Sequence, residues 1–496
     1  MYLLSIDQGT TSSRCLIFDT SGNIIASAQK EFQQYFPKPG WVEHNPLEIF
    51  RSVTETFNEC LQKSGIPASE IEAVGITNQR ETTVIWDRKT GEPVHPAIVW
   101  QSRQSLEICE RWIKAGLEQT VTAKTGLRID AYFSASKIAW ILENVEGINK
   151  RAISGELAFG TIDTWLLWKL TKGKIHATDC SNASRTLLFN IHSNEWDQEL
   201  LKAFGIPAQL LPEVKDSASD FGFIDKHFFG AEISVTGILG DQQAALLGQA
   251  CIEPGMSKNT YGTGCFMLMN TGNEAVHSAH GLISTVAWRI NNKICYALEG
   301  SVFVAGSAVQ WLRDGIGLFE AASETENLAL SVETTDGVYF VPAFTGLGTP
   351  HWDPEARGAF FGLSRGTQKA HIIRSALEAM AYQTKDVFSA MEIDSGLPLK
   401  NLRVDGGAAA NNFMMQFQSD LLGVEVDRPV ITESTALGAA LIAGLGAGIW
   451  QDLASCSRIR VSEKTFKPLM EPEKAAVFYG GWKRAVNATI FFSQNR

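Results

Sequence analysis

The chain opens on Leu3-Leu4-Ser5-Ile6-Asp7-Gln8-Gly9-Thr10-Thr11-Ser12-Ser13-Arg14-Cys15-Leu16-Ile17-Phe18-Asp19, and this stretch constrains the fold more than any other. Two apolar runs flank a turn of Gly, Thr and Ser. That is the pattern of a β-hairpin whose tip exposes small residues, backbone N–H groups and hydroxyls. Such a tip suits a phosphate. Gly9 lets a ligand approach the backbone closely, Thr10, Thr11 and Ser12 offer donors, and Arg14 can meet an anion. Asp7 ends the first strand, where a carboxylate can hold Mg²⁺ directly or through water. Gly/Ser/Thr turns also close ordinary hairpins, so the meaning of this one depends on what else the chain carries.

At 496 residues the chain is too long for one ordinary core and long enough for two large domains. An apolar fraction of 45% and a charged fraction of 20% describe a soluble globular protein. The formal charge of −11, with no Lys/Arg run, argues against a nucleic-acid or anionic-membrane partner, because phosphate backbones require a clustered basic surface. A small anion is still compatible, held by backbone N–H groups and one or two cations. The 8 cysteines are scattered without any C-x-x-C spacing, which points to a reduced, cytoplasmic setting and away from zinc. The short stretch before Asp7 leaves no room for a signal-peptide core. The long uncharged run from Ser434 to Gln451 is rich in Gly and Ala, so it reads as a tightly packed internal helix rather than a bilayer span.

After the hairpin, a third strand is expected over Ile24 to Ser27. A helix is expected over 46–64, with Pro46 in its first turn and Leu47, Phe50, Val53, Phe57 and Leu61 at helical spacing. Ile71 to Ile76 reads as a strand running into Thr77-Asn78-Gln79-Arg80-Glu81-Thr82. Neighbouring residues of a regular strand face opposite ways, so Arg80 and Glu81 share one ligand only if the backbone turns there. Strand–helix alternation continues to about residue 250, where Gly237 to Gln243 joins a strand to a small-residue helix, Ala244–Ala250. A second hairpin, Lys258 to Leu268, has a Gly262-Thr263-Gly264 tip and echoes the first. The expected architecture is therefore two α/β domains of similar construction, 1–250 and 251–496, with both tips facing a cleft. Further on, Leu402 to Asn412 reads as a strand ending in a Gly406-Gly407 turn that opens a helix, Phe413–Leu422, a place suited to a nucleotide.

Two look-alikes carry no function. Gly444-Leu445-Gly446-Ala447-Gly448 mimics a dinucleotide fingerprint but lies inside a helix, and Asp220-Phe221-Gly222 lacks the catalytic loop of a protein kinase. No G-x-x-x-x-G-K-[ST] is present, so any ATP is held without a Walker loop.

Two Gly/Thr tips, a strand-end Asp in each half and a Gly-Gly turn resemble the bilobed, ribonuclease H-like ATPase architecture shared by actin, heat-shock chaperones and hexokinase. Ser134 to Asn144, with Lys137 and Trp140, and Gly358 to Leu363 followed by His371 to Glu378, are similar to the two signatures of the FGGY family of carbohydrate kinases. Gly40 to His44, Thr77 to Thr82, Tyr261 to Phe266 and Asp405 to Asn412 resemble the branch of that family that phosphorylates glycerol. The resemblance covers nearly the whole chain.

It implies an ATP-dependent transfer to glycerol, giving sn-glycerol 3-phosphate, with ATP/ADP and Mg²⁺ in an interdomain cleft. The family's polyol pocket maps onto Arg80, Glu81, Trp100, Tyr132, Asp241, Gln242 and Phe266, and its catalytic base onto Asp241. Chemistry agrees, because a triol with little apolar surface demands paired donors and acceptors, which the four polar residues supply. Trp100 and Phe266 would wall its carbon edge, although such aromatics, read alone, are more often core. Nucleotide contacts map onto Thr10, Thr11, Ser12, Arg14, Thr263, Gly306, Gln310, Gly407 and Asn411, and the Mg²⁺ contact onto Asp7.

The resemblance also implies a homodimer or homotetramer. Some bacterial members bind fructose 1,6-bisphosphate through a Gly-rich loop carrying an Arg, and the matching Phe228 to Glu232 has neither feature. His227 to Gly230 instead resembles the segment whose His is phosphorylated, in Gram-positive members, by the phosphocarrier protein of the sugar phosphotransferase system; an unmodified surface His is the alternative. Two other readings compete with the main one. A kinase of this fold for a longer polyol or ketose would need a roomier pocket, and a chaperone-like or filament-forming ATPase would turn over without polyol.

Overall fold

The computed structural model describes residues 1–494. Its first sheet starts as the opening stretch dictates. Strands β1 (Tyr2–Gln8) and β2 (Ser12–Asp19) pair antiparallel around the Gly9–Thr11 tip, and β3 (Ile24–Glu31) extends the meander. The third strand runs past the expected Ser27, because Ser12, Ser13 and Arg14 of β2 supply backbone partners as far as Glu31. Helix α1 (Pro46–Ser64) has the expected bounds: Asn45 caps it, and Gly65, with φ 68°, ends it in the left-handed conformation. It buries Ile49, Val53 and Phe57 against the outer face of the sheet. Strand β4 (Ile71–Asn78) then lies parallel to β1.

From residue 79 to 232 the expected strand–helix alternation fails. The segment holds helices and two- to four-residue strand pairs around a separate core of Ile85, Trp112, Phe133, Ile138 and Leu188. Strands this short leave no periodic signature to read. Helix α2 (Ser134–Asn144), the first family signature, belongs to this unit. The chain returns to the first sheet through β5 (Ile233–Gly240), parallel to β4. Helix α3 spans Asp241–Gly248 rather than the expected Ala244–Ala250; its Asp-Gln-Gln first turn is polar, so apolar spacing alone starts the helix too late.

The second sheet repeats the plan. Strands β6 (Met256–Tyr261) and β7 (Cys265–Gly272) form the expected second hairpin, joined by β8 (Ile283–Ile290) and β9 (Lys293–Val302) on one side. The helices that follow include α4 (Gly306–Asp314) and the long α5 (Lys369–Ser395). Strand β10 (Asn401–Asp405) lies parallel to β6, as β4 does to β1. A 3₁₀ turn, Gly407–Ala410, intervenes before α6 (Asn412–Leu422), so the Gly-Gly turn does not open the α-helix directly. The Asn411 side chain caps Met414 N–H, which fixes the helix start beyond the three alanines. Strand β11 (Val426–Pro429) continues the sheet.

The uncharged run forms α7 (Ser434–Gly446), a buried helix as expected. It packs on the first sheet and crosses α3, which in turn touches the second sheet. Small residues make the approach possible: a Cβ on Gly438 would stand 1.8 Å from the Ala244 carbonyl oxygen, and one on Gly75 would stand 1.9 Å from that of Ala439. The shared core between the sheets contains Leu3 and Phe18 from one and Leu268 and Ala297 from the other. All 8 cysteines are free and buried, and no helix among the described residues is long and apolar enough to cross a membrane.

Candidate active site

The strand ends converge where the two sheets meet. Arg80 and Glu81 leave β4 at a turn in which Glu81 takes φ 62°, the break in strand geometry that lets both side chains reach one place. The Ser134 hydroxyl, at the start of α2, donates to the Glu81 carbonyl at 3.0 Å and holds that turn. Asp241 begins α3, with Oδ1 accepting from the Gln242 backbone N–H at 2.7 Å and facing Arg80 Nε at 3.0 Å.

Arg80 and Glu81 are 3% and 1% exposed, and a second pair completes them. Glu299 on β9 accepts from Arg80 Nη1 at 2.6 Å and Nη2 at 3.1 Å, while Arg185 donates to Glu81 at 2.6 Å and to Glu299 at 3.0 Å. Two guanidiniums and two carboxylates thus balance in a dry setting. Burial pushes Glu299 up, but Arg185 and Arg80 overcome it and hold it at about 2. Glu81, also raised by burial, sits against Arg185 with Arg80 Nε at 3.9 Å, and stays above the usual range. Burial likewise raises Tyr132.

The aromatic wall is assembled. Trp100 meets Tyr132 edge-on at 5.5 Å and Phe266 at 6.4 Å, and its indole N–H donates to the Thr10 hydroxyl at 3.0 Å, linking wall and first hairpin tip. Gln242 is met by the ammonium of Lys258 on β6. Burial lowers Lys258 to about 8 against the pull of Asp405 and Asp241, which leaves it a cation at neutral pH. All seven residues read as the polyol pocket therefore share one neighbourhood.

The nucleotide set divides. Gly306 N–H bonds the Gly262 carbonyl at 3.0 Å, and Ser307 N–H that of Thr263 at 3.1 Å, so α4 starts against the second tip. A Cβ on Gly406 would stand 2.4 Å from the Tyr261 carbonyl oxygen, whereas Gly407 has open space before it. Asn411 donates to the Thr325 hydroxyl at 3.2 Å, and Gln310 is exposed on α4. At the first tip Thr11 is exposed, and the Ser12 hydroxyl accepts from Gln29 at 3.0 Å. Arg14, expected to meet an anion, pairs its guanidinium with Glu433 just before α7. Asp7 faces the same space; burial pushes it up to about 7, Arg14 opposes, and Asp241 and Glu433 add to the rise. His227 lies elsewhere, exposed on the short helix Lys226–Phe229, whose Phe228 and Phe229 pack on Phe50 and Phe57 of α1.

Arg185, Glu299, Lys258 and Gln243, whose Oε1 accepts from Arg80 Nη1 at 3.2 Å, were not legible as site residues. Glu299 did leave a signal, being a charge directly after the apolar run Cys295 to Leu298 of its strand, which is rare without a partner; Lys258 sits among polar neighbours and left none. Arg185 lay in a polar stretch without periodicity.

Two lobes of related topology, each with a Gly/Thr hairpin turned toward a charged junction, define the actin and hexokinase class of ATPase fold. Within it, the chain belongs to the FGGY family of carbohydrate kinases: models of that family's N-terminal and C-terminal domains match residues 2–248 and 257–447. It is 59% identical to the glycerol kinase of Bacillus cereus (strain AH187), over 99% of both chains. It is 58% identical to that of Geobacillus sp. (strain WCH70), again over 99% of each. Among solved structures, Plasmodium falciparum glycerol kinase with ADP superposes with TM-score 0.94 at 39% identity, covering 98% of each chain. A xylulose kinase from Lactobacillus acidophilus, 22% identical over 98% of each chain with TM-score 0.87, shares the fold.

Proposed function

We propose that this chain transfers the γ-phosphoryl group of ATP to glycerol, releasing ADP and sn-glycerol 3-phosphate. Supporting the reading are the relatives named glycerol kinase and, above all, the state of Asp241. Both of its bonds, from Arg80 and from its neighbour's N–H, end on Oδ1. Oδ2 is left for a substrate hydroxyl, and the side chain is 32% exposed at the lobe junction. Asp241 then takes the hydroxyl proton as that oxygen attacks phosphorus in line and the bond to the β-phosphate oxygen breaks. Arg80, Glu81 and Gln242 pair with the triol's hydroxyls, Trp100 and Phe266 flank its carbons, and Tyr132 closes the wall. The tips carrying Thr10, Thr11, Ser12 and Thr263, with Gly306, Gln310, Gly407 and Asn411, hold the nucleotide. Arg14 stands beside them on Glu433.

Mg²⁺ fits Asp7: a carboxyl whose proton affinity is raised by burial and by nearby Asp241 and Glu433 is one that a cation would satisfy. Among the described residues no group of three or more His, Cys, Asp or Glu could hold an ion, and Mg²⁺ would be held by the Asp7 carboxylate together with substrate phosphates. When bound, it neutralises charge developing between the β- and γ-phosphates.

We further read the chain as cytoplasmic, divided near residue 250, and self-associating as a dimer or tetramer. His227, exposed and supported by packed phenylalanines, suits phosphorylation by a phosphocarrier protein. Incubation with that protein and its phosphodonor, followed by mass measurement of His227→Ala against wild type, tests this. For the activity, coupled ADP release is measured with glycerol, with D-xylulose and with neither. Release that requires glycerol supports the reading; release without polyol indicates an ATPase of another kind, and preference for xylulose indicates a ketose kinase.

A further inference from the structure

Lys258 is fully buried, 0% exposed, on a strand of the second lobe, and its ammonium carries three protons. Three acceptors meet them: Gln242 Oε1, Thr260 Oγ1 at 3.0 Å and the Phe266 carbonyl at 3.3 Å. No proton is left over for a phosphate, so this lysine does not read as a nucleotide ligand. Two of its three partners are polyol-pocket residues. The third, Thr260, lies beside it on the same strand.

The contact with Gln242 settles an orientation. An ammonium has no lone pair, so the amide atom facing it is the oxygen, and the –NH₂ group of Gln242 points the other way. The rest of the pocket is short of donors. Glu81 and Asp241 present acceptors, and Arg80 already makes four contacts to protein oxygens, on Asp241, on Gln243 and on both oxygens of Glu299. A triol offers both donors and acceptors, and its oxygens need N–H groups aimed at them.

We propose that Lys258 is a positioning residue for polyol recognition: it locks the Gln242 amide with its –NH₂ toward the substrate and anchors the backbone of Phe266 beside it. The inference rests on the glycerol reading above. Without Lys258 the Gln242 oxygen and the Phe266 carbonyl both lose their partner, so the amide keeps neither its orientation nor its place against the substrate.

The test uses the full-length protein and steady-state kinetics with glycerol and ATP varied separately. Lys258→Met is expected to raise the glycerol KM roughly ten- to a hundredfold while the ATP KM moves by less than about threefold. Gln242→Glu keeps an acceptor for Lys258 but replaces the outward –NH₂ by oxygen, so it is expected to show a similar glycerol loss. Adding Gln242→Ala to Lys258→Met is expected to cost less than about a further threefold, since the two act through one contact. A wild-type glycerol KM in Gln242→Glu overturns the proposal, even if Lys258→Met does not fold. Equal losses for glycerol and ATP in Lys258→Met also overturn it, by making the lysine a general support. Wild-type protein that ignores glycerol would refute the glycerol reading itself instead.

Discussion

Replacing Glu299 by Gln keeps the shape of the β9 side chain and removes one negative charge from the interlobe cluster. Arg80 and Arg185 then share Glu81, with Asp241 the other carboxylate facing Arg80. A buried ion pair broken on one side costs about 3–5 kcal/mol, because the remaining charge stays dry and unmatched. The carboxyl itself gives a consistent figure: holding it at about 2 instead of the usual 4.5 corresponds to about 3 kcal/mol of preference for the ionised form. A folded-state value below the unfolded one stabilises the protein above pH 4.5, and that contribution is lost as pH falls through 2. The wild-type advantage is therefore expected to be flat between about pH 6 and 9. In melting temperature, about 3 kcal/mol amounts to about 3 °C if the chain unfolds as one unit, and about 6 °C if the lobes unfold separately. Scanning calorimetry of both proteins at three pH values measures this. A shift under about 1 °C, or one that grows across that pH range, would refute the reasoning, since it would mean that the cluster is hydrated or paired otherwise.

Asp241→Asn is expected to lower kcat by roughly 10²–10⁴-fold while the protein melts normally, because the amide keeps the Arg80 neighbourhood but accepts no proton; stopped assays of ADP formation measure it, and near-normal turnover removes Asp241 from the chemistry. Gly438→Ala drives a methyl into the Ala244 carbonyl, 1.8 Å away across the α3–α7 crossing, and is expected to cost about 3 kcal/mol or more, visible as loss of soluble protein or a lowered melting temperature. EDTA is expected to abolish ADP release, restorably by Mg²⁺, without moving the melting temperature; a large thermal shift would reveal a structural ion that the described residues do not suggest.

The local features of this fold were written in the sequence, and the nonlocal ones were not. Hairpins with Gly/Thr tips and a helix with capping Asn45, Pro46 and a Leu47-to-Leu61 stripe are specified by neighbours in the chain, so pattern alone located them. The turn at Glu81 was readable as a requirement, since Arg80 and Glu81 could not otherwise share a ligand, and its φ of 62° meets that requirement. By contrast, α7 pairs with a sheet from the other half of the chain, and only small residues such as Gly75, Gly237, Gly248, Gly438 and Gly446 hint at so close an approach. Arg14 looked available for an anion because Glu433 is far away in sequence. The same blindness hid the partners of Arg80: a charge alone in a buried strand announces that a partner exists without saying which.

The placement of those hidden partners bears on how a polyol is preferred over water. Asp241, Arg80 and Glu81 come from the first lobe, yet Arg80 is gripped by Glu299 and Gln242 by Lys258, both from the second. If these residues hold the polyol as proposed, neither lobe carries a complete site. In the proposed function, water lacks the hydroxyls that would engage Glu81 and Gln242 together, so it would gain little from the meeting of the lobes, whereas glycerol would fill the space between them. A site completed only where two bodies meet excludes solvent by the same contacts that recognise substrate. The buried charge cluster, costly to desolvate and weak as a source of stability, then has its rationale in specificity: it ties the geometry of the acceptor pocket to the relative position of the lobes.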